Sequence, residues 1–127
     1  MEPIERQISV FIVDDENLIL NSFLVYLEDV GFQASGYSLP EEALQAVKDK
    51  PPDVCIVDLR MPGMNGEDLV KSIHSVSPTV RCMILTGTLY DLPKELKAIG
   101  MTQEDVISKP INNYPEFFKK LSNLALR

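Results

Sequence analysis

Val54-Cys55-Ile56-Val57-Asp58-Leu59-Arg60-Met61-Pro62-Gly63-Met64-Asn65-Gly66 is the stretch from which the rest of the chain can be read. Its first half is a short apolar, β-branched run held between Pro51-Pro52 and Pro62, the pattern of a strand buried on both faces. Asp58 stands at the end of that run. A carboxylate contributes little to packing there, but in open parallel sheets the carboxyl ends of the strands are where ligands bind. The residues after it, Met-Pro-Gly-Met-Asn-Gly, are rich in turn formers, so the chain swings away before a helix begins. A strand-end Asp equally suits an Asx turn, and the choice between the two readings has to come from elsewhere in the chain.

Outward from this stretch, strand and helix alternate five times. Ile8 to Val13 is β-rich and ends in Asp14-Asp15-Glu16; Leu20, Phe23, Leu24, Leu27 and Val30 then recur at helical spacing until Gly31. Phe32 to Tyr37 is a weaker strand. Ser38 and Glu41 have the spacing of a capping box ahead of a second helix, whose stripe is Ala43, Leu44 and Val47. The third helix starts near Gly66, with Leu69, Ile73 and Val76 on one face, and stops before Pro78. Arg81 to Leu85 reads as the fourth strand, ending at Thr86-Gly87. A short helix over Pro93 to Ile99 follows, then a strand at Val106-Ile107-Ser108 ending at Lys109-Pro110. A last helix from about Tyr114-Pro115 carries Phe117, Phe118, Leu121 and Leu124.

This alternation predicts an α/β fold, a doubly wound parallel sheet covered by helices on both faces. Right-handed crossovers place every strand's carboxyl end on one rim, and so gather Asp14-Asp15, Asp58, Thr86 and Lys109. Singly, these have plain explanations: charge at a helix N-terminus, a turn, a solvated loop. Together they make chemical sense. Clustered carboxylates repel one another unless a cation neutralises them, and an all-oxygen cluster suits a hard ion such as Mg²⁺. A carboxylate can attack phosphorus to give an acyl phosphate. Phosphoryl transfer asks mainly for positioning and for neutralisation of the equatorial oxygens. Asp15 and Asp58 could hold the metal, Lys109 supply an ammonium group and Thr86 a hydroxyl.

Composition limits the alternatives. The 127 residues are 45% hydrophobic, the size of one ordinary domain with a real core, so residues 1–127 are read as a single unit. A net charge of −7 argues against direct nucleic-acid binding, which rests on clustered Lys and Arg. No apolar run approaches the roughly 18 residues of a membrane span, and Met1-Glu2-Pro3-Ile4-Glu5-Arg6 lacks a signal-peptide pattern, so a cytoplasmic location without membrane contact is expected. Cys55 and Cys82 fall within the strands and are expected to be free and buried. The methionines show no helical stripe, and His74, the only histidine, is expected on the surface of the third helix.

Asp14-Asp15, Asp58-Leu59-Arg60-Met61-Pro62 with Gly66, Thr86-Gly87 and Lys109-Pro110, in this order and spacing, closely resemble the receiver domain of two-component response regulators. The resemblance spans essentially the whole chain. It implies a flavodoxin-like five-stranded parallel sheet in the order 2-1-3-4-5. Asp58 is then the phosphoacceptor, and Asp14, Asp15, Asp58 and the Arg60 backbone carbonyl are the ligands of Mg²⁺, with Mn²⁺ as a substitute. Thr86 and Lys109 bind the phosphoryl group. The implied donor is a phosphohistidine of a sensor histidine kinase or a histidine phosphotransfer protein, and the implied role is a switch whose helix 4, strand 5 and helix 5 face controls an unidentified output, with room for a homodimer formed on phosphorylation. Such a domain takes part in its own phosphoryl transfer and dephosphorylation rather than turning over as an enzyme. The Lys109-Pro110 bond is expected to be cis, from the resemblance and from the need to turn Lys109 back toward Asp58.

Two positions depart from the family's pattern. Val106 stands where an aromatic residue is usual, three before the lysine, and residues 101–105 form a longer approach to strand five. A branched side chain with one main torsion gives little rotamer signal, so a state change is expected in the backbone of Gly87-Thr88-Leu89. Tyr90, in the loop after strand four, reads as an ordinary surface tyrosine, with the alternative that it takes over some of the aromatic role. A haloacid-dehalogenase-type hydrolase would need Asp-x-Asp, and here the second position is Arg60. A flavodoxin-like electron carrier would meet repulsion between the flavin phosphate and Asp14-Asp15-Glu16. A phosphorylation-independent interaction module is the alternative function.

Overall fold

The computed structural model describes residues 7–126. Arg127 and the leading stretch Met1-Glu2-Pro3-Ile4-Glu5-Arg6, expected to carry no targeting signal, lie outside the described residues. The elements are β1 (Ser9–Val13), α1 (Asn17–Asp29), β2 (Gln33–Tyr37), α2 (Pro40–Asp49), β3 (Val54–Asp58), α3 (Gly66–Val76), β4 (Arg81–Thr86), α4 (Lys94–Ala98), a 3₁₀ turn (Gln103–Asp105), β5 (Val106–Ser108) and α5 (Tyr114–Ala125). All four strand pairings are parallel, in the order β2-β1-β3-β4-β5. This is the predicted doubly wound sheet.

Alternation along each strand divides the core into two layers. Val10, Ile12, Ile56, Met83 and Leu85 meet Leu20, Phe23 and Leu27 of α1 and Phe117, Leu121 and Leu124 of α5. Phe11, Val13, Cys55, Val57 and Ile84 meet Ala43 and Val47 of α2, Leu69 and Ile73 of α3 and Leu96 of α4. β3, central and flanked by β1 and β4, is buried along its whole length, as its uninterrupted apolar run requires. Strand β2 is a sheet edge and keeps polar Gln33 and Ser35 exposed, which explains its weak signal. Cys55 and Cys82 are free and sit side by side as register partners; burial, then the charge of Asp105, pushes the Cys82 thiol up to about 12.

Three local expectations change. The capping box at Ser38 and Glu41 does not form: α2 begins at Pro40 with Leu39 as its N-cap and no side-chain cap. Proline at the first helical position has its φ already set and no N–H to satisfy, which moves the helix start one residue past the reach of Ser38. Val30 lies beyond the end of α1 and is exposed rather than part of the buried stripe, and Val76, at the end of α3, is exposed as well. The longer approach to β5 folds into the 3₁₀ turn, closed by a capping box in which the Asp105 carboxylate accepts the Thr102 N–H at 2.9 Å. Among the described residues no helix is long and apolar enough to cross a membrane. His74 is half-buried on α3.

Candidate functional site

Strands β1, β3, β4 and β5 each deliver a polar residue to the rim. β1 runs straight into Asp14, which is fully buried; its N–H donates to the Tyr37 carbonyl at 3.1 Å, and its Oδ1 accepts the Glu16 N–H at 2.9 Å. This turn carries the chain into α1 and leaves Asp15 exposed. β3 ends at buried Asp58, and the Leu59 N–H donates to the Leu85 carbonyl at 2.9 Å, holding the chain to the sheet one residue further. The Gly66 N–H then donates to the Leu59 carbonyl at 2.8 Å, closing the loop onto the strand end, while Asn65 Oδ1 caps α3 by accepting the Asp68 N–H. The Lys109 N–H donates to the Thr86 carbonyl at 2.8 Å, and the Lys109–Pro110 peptide is cis, as expected.

Four of the predicted residues come together. Asp14, Asp15 and Asp58 each offer a carboxylate oxygen, and these three atoms lie within 4.8 Å of one another. Lys109 Nζ is 3.0 Å from Asp58 Oδ1 and 3.8 Å from Asp14 Oδ2. The second contact is too long for a hydrogen bond, so Asp14 Oδ2 is a buried oxygen with no hydrogen-bond partner. Burial raises the Asp14 pKa above its ordinary 3.8; the Glu16 hydrogen bond opposes this, Asp58 adds to it and Lys109 opposes it. Burial alone would lower the Lys109 pKa, but the hydrogen bond to Asp58 and the charges of Asp58, Asp14 and Glu16 outweigh it and raise it.

The signs of these shifts differ in consequence. Lys109, raised above 10.5, contributes stability that is present below that pH and lost as the pH rises through its folded value. Asp14, raised above 3.8, binds its proton more tightly when folded, so its ionised form opposes folding at neutral pH and acidification through the folded value relieves the cost. Three hard oxygen donors with one left unpartnered fit a divalent cation of the Mg²⁺ type. Asp14→Asn should therefore raise the metal-free chain's stability by about 1–2 kcal/mol at neutral pH, flatten its dependence on acid, and weaken Mg²⁺ binding. Urea unfolding with and without Mg²⁺ checks this; an equal or lower midpoint without the ion would contradict it.

Thr86 is buried at the end of β4, and its hydroxyl is occupied: it lies 3.2 Å from the Thr88 N–H, the Thr88 carbonyl and the Thr88 hydroxyl. The Arg60 side chain is exposed, at the start of the loop that leaves Asp58. An apolar groove of about 510 Å³ adjoins Lys109 and is lined by Leu18, Phe23, Tyr26, Pro110, Ile111 and Tyr114, among others. Tyr90 differs from its expected surface role. It is half-buried, its hydroxyl donates to the Glu67 carboxylate on α3, and its carbonyl accepts from Gln103 Nε2 at 2.8 Å. Glu67 and Gln103 carry no sequence signal, since both partners of each bond are distant in the chain.

Residues 10–121 match the family described as the response regulator receiver domain. The chain belongs to this family of two-component response regulators. It is 33% identical over 102 residues to the C4-dicarboxylate transport transcriptional regulatory protein DctD of Rhizobium meliloti, covering 80% of this chain and 22% of that protein. It is 30% identical over 114 residues to the transcriptional regulatory protein KdpE of Mycobacterium tuberculosis, covering 88% and 48%. This receiver chain thus spans between about a fifth and a half of the length of these relatives. The solved CheY-like receiver domain from Methylobacillus flagellatus superposes with a TM-score of 0.80 at 26% identity, over 94% of this chain and 99% of that one.

Proposed function

We propose that this receiver is a Mg²⁺-dependent phosphoacceptor switch in which Asp58 takes a phosphoryl group from a phosphohistidine of a sensor histidine kinase or histidine phosphotransfer protein. The observation that carries the reading is the Asp58 carboxylate set 3.0 Å from the Lys109 ammonium and beside the unpartnered oxygen of buried Asp14. An Asp58 oxygen forms the new bond to phosphorus as the phosphorus–nitrogen bond breaks, and that electron pair leaves on the imidazole of the donor. Asp14, Asp15, Asp58 and the Arg60 carbonyl would hold Mg²⁺, or Mn²⁺ in its place, which supplies charge neutralisation at the phosphoryl oxygens. Lys109 neutralises a further oxygen, and Thr86 donates its hydroxyl once it leaves Thr88.

Residues 1–127 act in this reading as one receiver unit working in the cytoplasm, and the output it controls belongs to a segment or partner beyond it. The acidic charge of −7 argues that the receiver itself does not contact nucleic acid. With Val106 half-buried in place of an aromatic ring, the change on phosphorylation is carried by the backbone from Gly87 to Leu89 and by the α4, β5 and α5 face, and phosphorylation would also allow a homodimer to form. Acetyl phosphate tests the reading without a kinase. Intact mass should show one added phosphoryl group in the presence of Mg²⁺ or Mn²⁺ and none with a chelator. Labelling that ignores the ion, or its absence under all conditions, would defeat it and favour a phosphorylation-independent interaction module.

A further inference from the structure

The segment Gly87-Thr88-Leu89 is exposed throughout, with Leu89 in full contact with solvent, and it holds Thr86 only through the Thr88 hydrogen bonds. Its far end is fixed from outside. The Tyr90 ring packs on the core layer formed with α2, α3 and α4, and its hydroxyl donates to Glu67. Gln103 spans the same loop from the other side: its Oε1 accepts the Leu92 N–H at 3.0 Å and its Nε2 donates to the Tyr90 carbonyl at 2.8 Å. The longer approach to β5 makes this possible, because its 3₁₀ turn, closed by Thr102 and Asp105, presents Gln103 to the loop. Glu67 in turn follows Gly66, which is packed against the backbone of Asp58. A chain of contacts therefore runs from Asp58 through Gly66 and Glu67 to Tyr90, and returns through the loop to Thr86.

We infer that Tyr90, held by Glu67 and Gln103, is a positioning residue that latches this loop and sets how readily Thr86 leaves Thr88 for a phosphoryl group on Asp58. The inference rests on the phosphoacceptor reading above. While the latch is closed, the loop end is fixed and the Thr86 hydroxyl stays with Thr88. Opening it lets three exposed residues adjust at little cost, since the groups they release are met by water. Val106 packs against the same core layer as Tyr90, and the latch supplies from a loop tyrosine and a turn glutamine the state discrimination that a valine cannot.

The full chain is titrated with beryllofluoride, a phosphoryl mimic, in saturating Mg²⁺ and followed by amide chemical shifts, with Mg²⁺ affinity measured separately. Tyr90→Phe keeps the ring and its packing but loses the hydroxyl, and Gln103→Ala loses both loop contacts. Tyr90→Phe should bind the mimic about three- to tenfold more tightly, the span of one hydrogen bond's net contribution, and Gln103→Ala, which loses two, at least as much, with Mg²⁺ affinity unchanged in both. Glu67→Gln retains an acceptor for Tyr90 and should stay near the wild type. Wild-type affinity in both Tyr90→Phe and Gln103→Ala, or a parallel fall in Mg²⁺ affinity, overturns the latch while the wild type still binds the mimic. Failure of the wild type to bind it overturns the phosphoacceptor reading and the latch with it.

Discussion

Asp58→Asn is expected to take up no phosphoryl group from acetyl phosphate at any Mg²⁺ concentration while remaining folded. The amide has the shape of the carboxylate but neither its charge nor a nucleophilic oxygen, so attack on phosphorus is lost at its source. The fold should survive because the substitution removes one of two neighbouring buried carboxylates, and Lys109 keeps the other, Asp14, at 3.8 Å. One interaction is lost, the 3.0 Å ion pair, and one repulsion is relieved, since the Asp58 charge contributes to raising the Asp14 pKa. Intact mass and peptide mapping read the result, with thermal unfolding as the control. A phosphoryl group recovered on Asp14 or Asp15 would move the acceptor along the rim, and undiminished labelling would remove Asp58 from the chemistry.

The elements that read most clearly from sequence are those whose signal is local and whose environment is uniform. β3 is bounded by prolines and buried on both faces, so Val54 to Asp58 announces its burial in residue type alone. α5 carries Tyr114-Pro115 and the Phe117-Leu121-Leu124 stripe, and it starts where those residues say. The rim was legible for a topological reason: once the crossovers are right-handed, the residue after each strand is at one edge whatever the details of the loops. At the start of α2 two local signals compete, and proline's fixed geometry prevails over the Ser38 hydroxyl.

What stayed hidden is long-range and polar. The bond from Tyr90 to Glu67 joins residues 23 apart in sequence, and no spacing rule links a loop tyrosine to a helix glutamate. Gln103 is an exposed glutamine in a polar run, indistinguishable by type from a solvated side chain until the 3₁₀ turn aims it at Tyr90 and Leu92. The same holds for Thr86, where sequence shows a hydroxyl at the rim but not that Thr88 already holds it. Residue chemistry thus identified the groups gathered around Asp58, while the state in which those groups wait depends on contacts made after the chain has folded.

Gly66→Ala should cost about 3 kcal/mol of stability and weaken Mg²⁺ binding at least about tenfold, an unusually large effect for one methyl group. A Cβ at this position would lie 2.6 Å from the Asp58 carbonyl oxygen, 2.8 Å from Leu59 Cα and 3.2 Å from the Asp58 carbonyl carbon. All three are backbone atoms of the strand end, so no side chain can rotate aside to make room. Backbone strain at Gly66 itself is not the cause, since it opens α3 with ordinary helical geometry, where alanine is favoured by propensity. Relief must come from moving the start of α3 away from β3, which breaks the 2.8 Å Gly66–Leu59 hydrogen bond, or from displacing Asp58 from Lys109. Either movement spoils the spacing of the three carboxylates. Gly87→Ala is the control, because a Cβ there meets nothing within 4 Å, and its stability should stay within about 0.5 kcal/mol of the wild type. Urea midpoints and Mg²⁺ titrations of the two variants decide the matter: if Gly66→Ala behaves like Gly87→Ala, the close approach of α3 to the Asp58 backbone does not set the geometry of the rim.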